Sequence, residues 1–190
     1  LSLKKEPFTD LGYAKVDHHR ALRQNAAEVV YGAGKTPEQI AGIVSALQSE
    51  GEKTVLITRL NPEAAALLRT SISLDYHELS QVGIVGSLPK PTGNGRIVVA
   101  CAGTSDLPVA EEAALTAEVL GNEVLRLFDV GVAGLHRLLS HMDDLMSAQV
   151  VIAIAGMEGA LASVIGGMVS CPVIAVPTSV GYGASFKGVA

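Results

Sequence analysis

Along the second half of the chain, apolar and polar positions follow a regular rhythm. The strand-sized block Ile97-Val98-Val99-Ala100 sits in a strand predicted over 96–102. It runs into Gly103-Thr104-Ser105-Asp106, where a helix is predicted to open and continue over 106–120. A strand over 123–128 leads to helical segments near 133–147, and a strand over 149–155 leads to a helix over 157–168. A last strand is predicted over 173–177. Strands alternating with helices at this spacing specify a parallel sheet with right-handed crossovers and helices on both faces. In such sheets the ligand site lies beyond the carboxyl ends of the strands. Those ends are 103–106, 129–134, 156–159 and 177–183, each a loop of small residues with one or two polar groups.

The first half has shorter elements. A helix is expected from near Asp17 to about Ala26, and an extended segment over 28–31. The next helix starts at Thr36-Pro37-Glu38-Gln39 and places Ile40, Ile43, Val44 and Leu47 on one face. A strand over 54–58, a helix over 62–69 and a strand-forming region over 74–85 follow. Residues 87–95, Ser-Leu-Pro-Lys-Pro-Thr-Gly-Asn-Gly, carry two prolines, two glycines and no apolar periodicity. We read a small α/β domain over 1–86, a linker over 87–95 and a nucleotide-binding α/β domain over 96–190. The strand over 173–177 needs cover on both faces, yet no helix follows it. The natural protein is therefore expected to continue past Ala190, leaving the second domain C-terminally truncated here.

Composition sharpens this picture. Hydrophobic residues make up 48% of the chain and aromatics only 4%, alongside 20 glycines, so the core is built from Val, Ile, Leu and Ala. Residues 1–92 balance ten basic against ten acidic side chains, whereas 93–190 hold four against nine, so the net charge of -5 sits in the second domain. An acidic domain without a basic stripe excludes nucleic acid as a partner. The longest apolar runs, such as 150–155, are too short to span a membrane, and the start shows no signal-peptide pattern. Cys101 and Cys171 in apolar strand contexts fit a reducing cytoplasm.

The segment 103–106 offers free backbone N–H groups and hydroxyls at a helix N-terminus, a site for phosphate or another anion. Capping of the helix by Ser105 or Asp106 uses the same atoms. Gly32-Ala33-Gly34-Lys35-Thr36 looks like a P-loop but has Val29 where that motif needs glycine, and Thr36-Pro37-Glu38-Gln39 reads as a capping box. The histidines lack metal-ligand spacing: His18 and His19 are adjacent, and His136 and His141 diverge on a helix. No metal site is assigned, and no cofactor is expected to be tightly bound; Mg²⁺ carried on a diphosphate remains compatible. Glu158, between Gly156 and Gly159 where strand meets helix, is the candidate general base. In an apolar rim its proton affinity would rise; compensation of the helix dipole is the alternative role. Cys101 and Cys171 read as packing residues.

Three motifs carry a family resemblance: the strand leading into Gly103-Thr-Ser-Asp106, Ala155-Gly-Met-Glu-Gly159, and Pro172-Val-Ile-Ala-Val-Pro177-Thr178. Together they resemble the aminoimidazole ribonucleotide carboxylase/mutase family, flavodoxin-like enzymes that handle CO₂ and assemble as octamers. The match spans 96–183 and departs at Asp129-Val-Gly-Val-Ala-Gly-Leu-His136-Arg137, where those enzymes carry Ser-Ala-His-Arg-Thr-Pro, and at Met157-Glu158, where they carry small residues. Leu11-Gly-Tyr-Ala-Lys15-Val-Asp17-His-His19-Arg20 and Glu28-Val-Val-Tyr-Gly-Ala-Gly34-Lys35-Thr36 extend a closer resemblance along the whole chain. These motifs are similar to the LarB family, the pyridinium-3,5-biscarboxylic acid mononucleotide synthases of nickel-pincer nucleotide synthesis and lactate racemase maturation. The resemblance implies carboxylation of nicotinic acid adenine dinucleotide with CO₂ or bicarbonate, hydrolysis of its phosphoanhydride to release AMP, and a homo-oligomer of up to eight copies. It also puts the family's nucleophilic cysteine beyond Ala190.

The implied catalytic carboxylates are Glu158 and Asp106. The implied substrate contacts are Gly103, Thr104, Ser105, Asp129, Gly131, His136, Gly156, Met157, Gly159, Pro177, Thr178 and Ser179. Two other readings stay open: a purine-type carboxylase or mutase, and a non-catalytic nucleotide-binding module.

Overall fold

At Thr36 local chemistry alone places an element. Its Oγ1 accepts the Gln39 N–H at 3.3 Å, and its own N–H donates to Gln39 Oε1 at 3.0 Å. This reciprocal cap, with Pro37 behind it, starts helix α1 (Pro37–Ser49). The Lys35 ammonium donates to the Tyr31 carbonyl at 2.7 Å, so Gly32–Thr36 is a turn into a capped helix. The computed structural model describes residues 8–18 and 28–180, and the chain divides into two compact units between Pro89 and Lys90, inside the expected linker.

In the first unit, β1 (Phe8–Asp10) pairs antiparallel with β2 (Lys15–Asp17). Asp17, paired with Phe8, is the last residue of β2. The helix expected from near Asp17 to about Ala26 lies outside the described residues. Strands β3 (Val29–Tyr31), β4 (Thr54–Thr58), β5 (Leu74–His77) and β6 (Val82–Gly86) form a second sheet in the order β3-β4-β6-β5. Only the β3–β4 pair is parallel. The strand-forming region over 74–85 is a hairpin whose turn ends on Gln81 at φ 53°. Ile40, Ile43, Val44 and Leu47 of α1, with Ala64, Ala65 and Leu68 of α2 (Pro62–Leu68), pack on Val30, Val55, Ile57 and Val85 of the sheet.

In the second unit, β7 (Arg96–Cys101), β8 (Glu123–Leu127), β9 (Ala148–Ala155) and β10 (Val173–Pro177) are all parallel, in the order β10-β9-β7-β8. This is the flavodoxin-like arrangement. Strand periodicity sorts the core into two layers. Val98, Ala100, Val151, Ala153 and Ala155 face α4 (Leu135–Leu139), α5 (Met142–Met146) and α6 (Ala160–Gly166). Val99, Cys101, Ile152 and Ile154 face α3 (Leu107–Val119), which presents Ala110 and Ala114. Each valine so buried contributes about 1.5–3 kcal/mol relative to exposure. Among the described residues no helix is long and apolar enough to cross a membrane.

One helix differs from its sequence expectation in a way that matters for the site. Residues 157–159 lie outside α6, in a turn closed by the Gly159 N–H on the Gly156 carbonyl at 3.0 Å. Met157 and Gly159 take φ of 53° and 67°, which a helix cannot accommodate. The Gly166-Gly167 pair, poor in helix propensity, ends the element early.

Candidate functional site

The carboxyl ends of β7, β8 and β9 open into one cavity of about 280 Å³. Backbone bonds join the loops that leave those strands. The Ala102 N–H donates to the Ile154 carbonyl and the Val130 N–H to the Cys101 carbonyl, both at 3.0 Å. Small residues make the approach feasible: a β-carbon on Gly131 would stand 2.7 Å from the Ala102 oxygen. One on Gly156 would overlap the Val180 carbonyl oxygen and come within 2.8 Å of Thr178 Oγ1. That Val180 oxygen accepts the Met157 N–H at 2.6 Å, which holds Met157 in its left-handed backbone conformation.

Asp106 is the chemical centre of the cavity floor. It is 4% exposed, and both carboxylate oxygens accept hydrogen bonds. Oδ2 receives the Gly103 N–H at 3.1 Å and Oδ1 receives the Thr178 hydroxyl at 2.7 Å. Neither bond goes to the start of α3, which has no side-chain cap. Asp106 instead caps the 3-10 turn Thr104–Asp106 that leads into α3, through the Gly103 N–H. The Leu107 N–H is taken by the Thr104 carbonyl and Pro108 has none, so the amides that face a ligand at this edge are those of Thr104 and Ser105. Among the described residues no cation lies within ion-pair distance of Asp106.

Asp129 and Glu158 also line the cavity, against a single guanidinium, Arg137, whose Nη1 is 2.6 Å from Asp129 Oδ2. Asp129 holds a left-handed backbone, φ 58°. Beneath the floor Cys101 is fully buried, its Sγ 3.7 Å from the Gly103 oxygen. Burial pushes this thiol up from its ordinary pKa, a backbone hydrogen bond from Asp129 partly offsets that, and the charges of Asp106, Asp129 and Glu111 add to the rise. Cys101 is thus a packed thiol of the core.

Of the residues expected from sequence, Gly103, Ser105, Asp106, Asp129, Gly131, Gly156, Met157 and Glu158 line the cavity together. Thr104, His136, Gly159, Pro177, Thr178 and Ser179 do not. Thr178 is 5% exposed and lies behind Asp106, so it touches the carboxylate and not the cavity. His136 is exposed, and its neighbour Arg137 takes the place expected for it, since consecutive residues on a helix diverge by about 100°. Glu158 is exposed, so the desolvating apolar rim expected around it is absent, and it precedes α6 instead of sitting in its first turn. The sequence reading missed Arg137 and the Val180 carbonyl; the basic residue inside the 129–137 loop was the available signal for the first.

The described residues contain no cluster of three or more His, Cys, Asp or Glu side chains arranged for a metal ion. Three carboxylates, one paired guanidinium and the amides of the 3-10 turn at Thr104–Ser105 suit a ligand with a cationic ring and an anionic tail. Residues 8–87 match the family model described as LarB/PurE-like N-terminal domain, and residues 96–189 match the AIR carboxylase model. An uncharacterized protein of Methanocaldococcus jannaschii is 37% identical over 177 residues, covering 89% of this chain and 69% of that protein.

Proposed function

The chain belongs to the LarB family of carboxylase-type proteins, and we propose from that premise that it carboxylates the pyridinium ring of nicotinic acid adenine dinucleotide and hydrolyses the phosphoanhydride. The products are pyridinium-3,5-biscarboxylic acid mononucleotide and AMP, the first step towards the nickel-pincer nucleotide of lactate racemase. The observation that carries this reading is the buried Asp106 carboxylate without a cationic partner among the described residues. A buried, unpaired charge is costly, and a pyridinium ring above the floor supplies the missing positive charge. A neutral aminoimidazole, the substrate of the purine-type alternative, leaves that cost unrelieved.

In this reading a thiolate adds to the electron-poor ring and makes it an enamine, whose carbon attacks CO₂. Glu158, exposed at the cavity mouth, accepts the proton from that carbon. The C–S bond then breaks and aromaticity returns. The thiolate is assigned to the downstream cysteine segment of the family, on the resemblance alone. Water attack on the diphosphate releases AMP, its developing charge met by the Thr104 and Ser105 N–H groups of the 3-10 turn before α3 and by Arg137. The cavity, at the lower edge of ordinary ligand sites, takes the nicotinate end and leaves the adenosine outside. The working form is a homo-oligomer, with the uncharged exposed residues Ser163 and Gly166 of α6 and its C-cap Gly167 between copies.

Glu158→Gln tests the assignment in protein that carries the cysteine segment. It should bind the dinucleotide at the parent's affinity and lose carboxylation. Full turnover in Glu158→Gln, with ring deprotonation rate-limiting, places the base elsewhere.

A further inference from the structure

We infer that Thr178 is a positioning residue: its buried hydroxyl fixes the Asp106 carboxylate in the orientation that receives the cationic ring. This rests on the function proposed above for its ligand, and on geometry alone for its mechanism. The Thr178 hydroxyl donates to Asp106 Oδ1 at 2.7 Å across 72 residues of sequence. Its backbone N–H is anchored on the Ala155 carbonyl at 3.1 Å, at the end of β9. Gly156 leaves the room the hydroxyl occupies, because a β-carbon there would stand 2.8 Å from it.

One side chain therefore joins the loops after β7, β9 and β10 at a single carboxylate. A β-branched threonine has few χ1 options, so the hydroxyl direction is set before any ligand arrives. Asp106 Oδ2 is meanwhile held by the Gly103 N–H. With both oxygens engaged, the charge meets a ring without reorganising, the condition under which an electrostatic contact is worth most.

The test uses Thr178→Val, which keeps the shape and removes the donor, Thr178→Ser, which keeps the donor, Asp106→Ala, and the Thr178→Val/Asp106→Ala double variant. Affinity for nicotinic acid adenine dinucleotide is measured by calorimetry, with thermal melts to confirm folding. Thr178→Val should bind roughly 10- to 100-fold more weakly, and Thr178→Ser within about threefold of the parent. In the Asp106→Ala background Thr178→Val should change affinity by less than about twofold, because its effect passes through the carboxylate. An undiminished loss in that background, or parental affinity in Thr178→Val, overturns the inference.

If the parent protein itself does not bind the dinucleotide, the proposed substrate is wrong and hydrogen exchange decides the role of Thr178. Exchange at the Gly103 amide should then quicken by about tenfold or more in Thr178→Val and stay unchanged in Thr178→Ser. Unchanged exchange in Thr178→Val overturns the inference independently of the ligand.

Discussion

Asp106→Asn separates the charge of the cavity floor from its shape. Asparagine keeps the volume and both hydrogen bonds: its Oδ1 accepts from the Gly103 N–H, and its amide donates to Thr178 Oγ1, which rotates to accept. Only the negative charge goes. Because that charge is 4% exposed and unpaired among the described residues, its removal relieves desolvation, and the variant should melt no lower than the parent. Binding should respond in the opposite direction. A pyridinium charge about 5 Å from the carboxylate, at an effective dielectric of about 20, is worth about 3 kcal/mol, or roughly 100-fold in affinity. Solvent at the cavity mouth lowers this, so at least about tenfold is expected.

The reduced dihydropyridine form of the same dinucleotide has the same tail and a neutral ring. Calorimetry on both forms therefore isolates the charge. The oxidised form should lose affinity in Asp106→Asn and the reduced form should not. Equal losses for the two forms refute the claim that Asp106 recognises a cation and make it a shape contact.

Gly156→Ala should lower the melting temperature by roughly 4 °C or more in calorimetry, since a β-carbon there strikes the Val180 oxygen that holds Met157 and such overpacking costs about 1–3 kcal/mol; a parental melt would show that the loop gives way freely. Arg137→Ala should weaken dinucleotide binding about tenfold and leave the phosphate-free nicotinate riboside unaffected, because the guanidinium serves the anionic tail; a loss with the riboside would place Arg137 on the ring instead. Burial raises the Cys101 thiol above its unfolded value, so its contribution to stability is complete below the unfolded thiol pKa and declines as pH rises through and beyond it. Denaturant titrations from pH 7 to 10 should show a fall that Cys101→Ala reduces, and identical pH slopes in the two proteins would contradict the assignment.

The sheet of the second unit was legible because β7, β9 and β10 are built around short apolar blocks and each following loop is rich in small residues, so element type and the ligand edge follow from pattern. The β5–β6 hairpin was harder: its turn over 78–81 contains no Gly or Pro, and Gln81 adopts a left-handed backbone that its residue type does not announce. Within the site, glycines and carboxylates at strand ends could be read, since their positions follow from the sheet. Which of two neighbours faces the cavity could not be read for His136 and Arg137, because it depends on the phase of the five-residue helix α4. Thr178 looked like a ligand contact for the same reason as Ser105, a polar residue at a strand end. Its burial is decided by Asp106, 72 positions away, and only the folded chain brings the two together.

The central claim is that this cavity directs a carboxyl group onto a pyridinium ring. Protein carrying the cysteine segment, incubated with nicotinic acid adenine dinucleotide and ¹³C-bicarbonate, tests it by mass spectrometry of the products. The account predicts a mononucleotide with one labelled carboxyl beside an equal amount of AMP. Unlabelled dinucleotide returned intact, while aminoimidazole ribonucleotide is carboxylated under the same conditions, would contradict it.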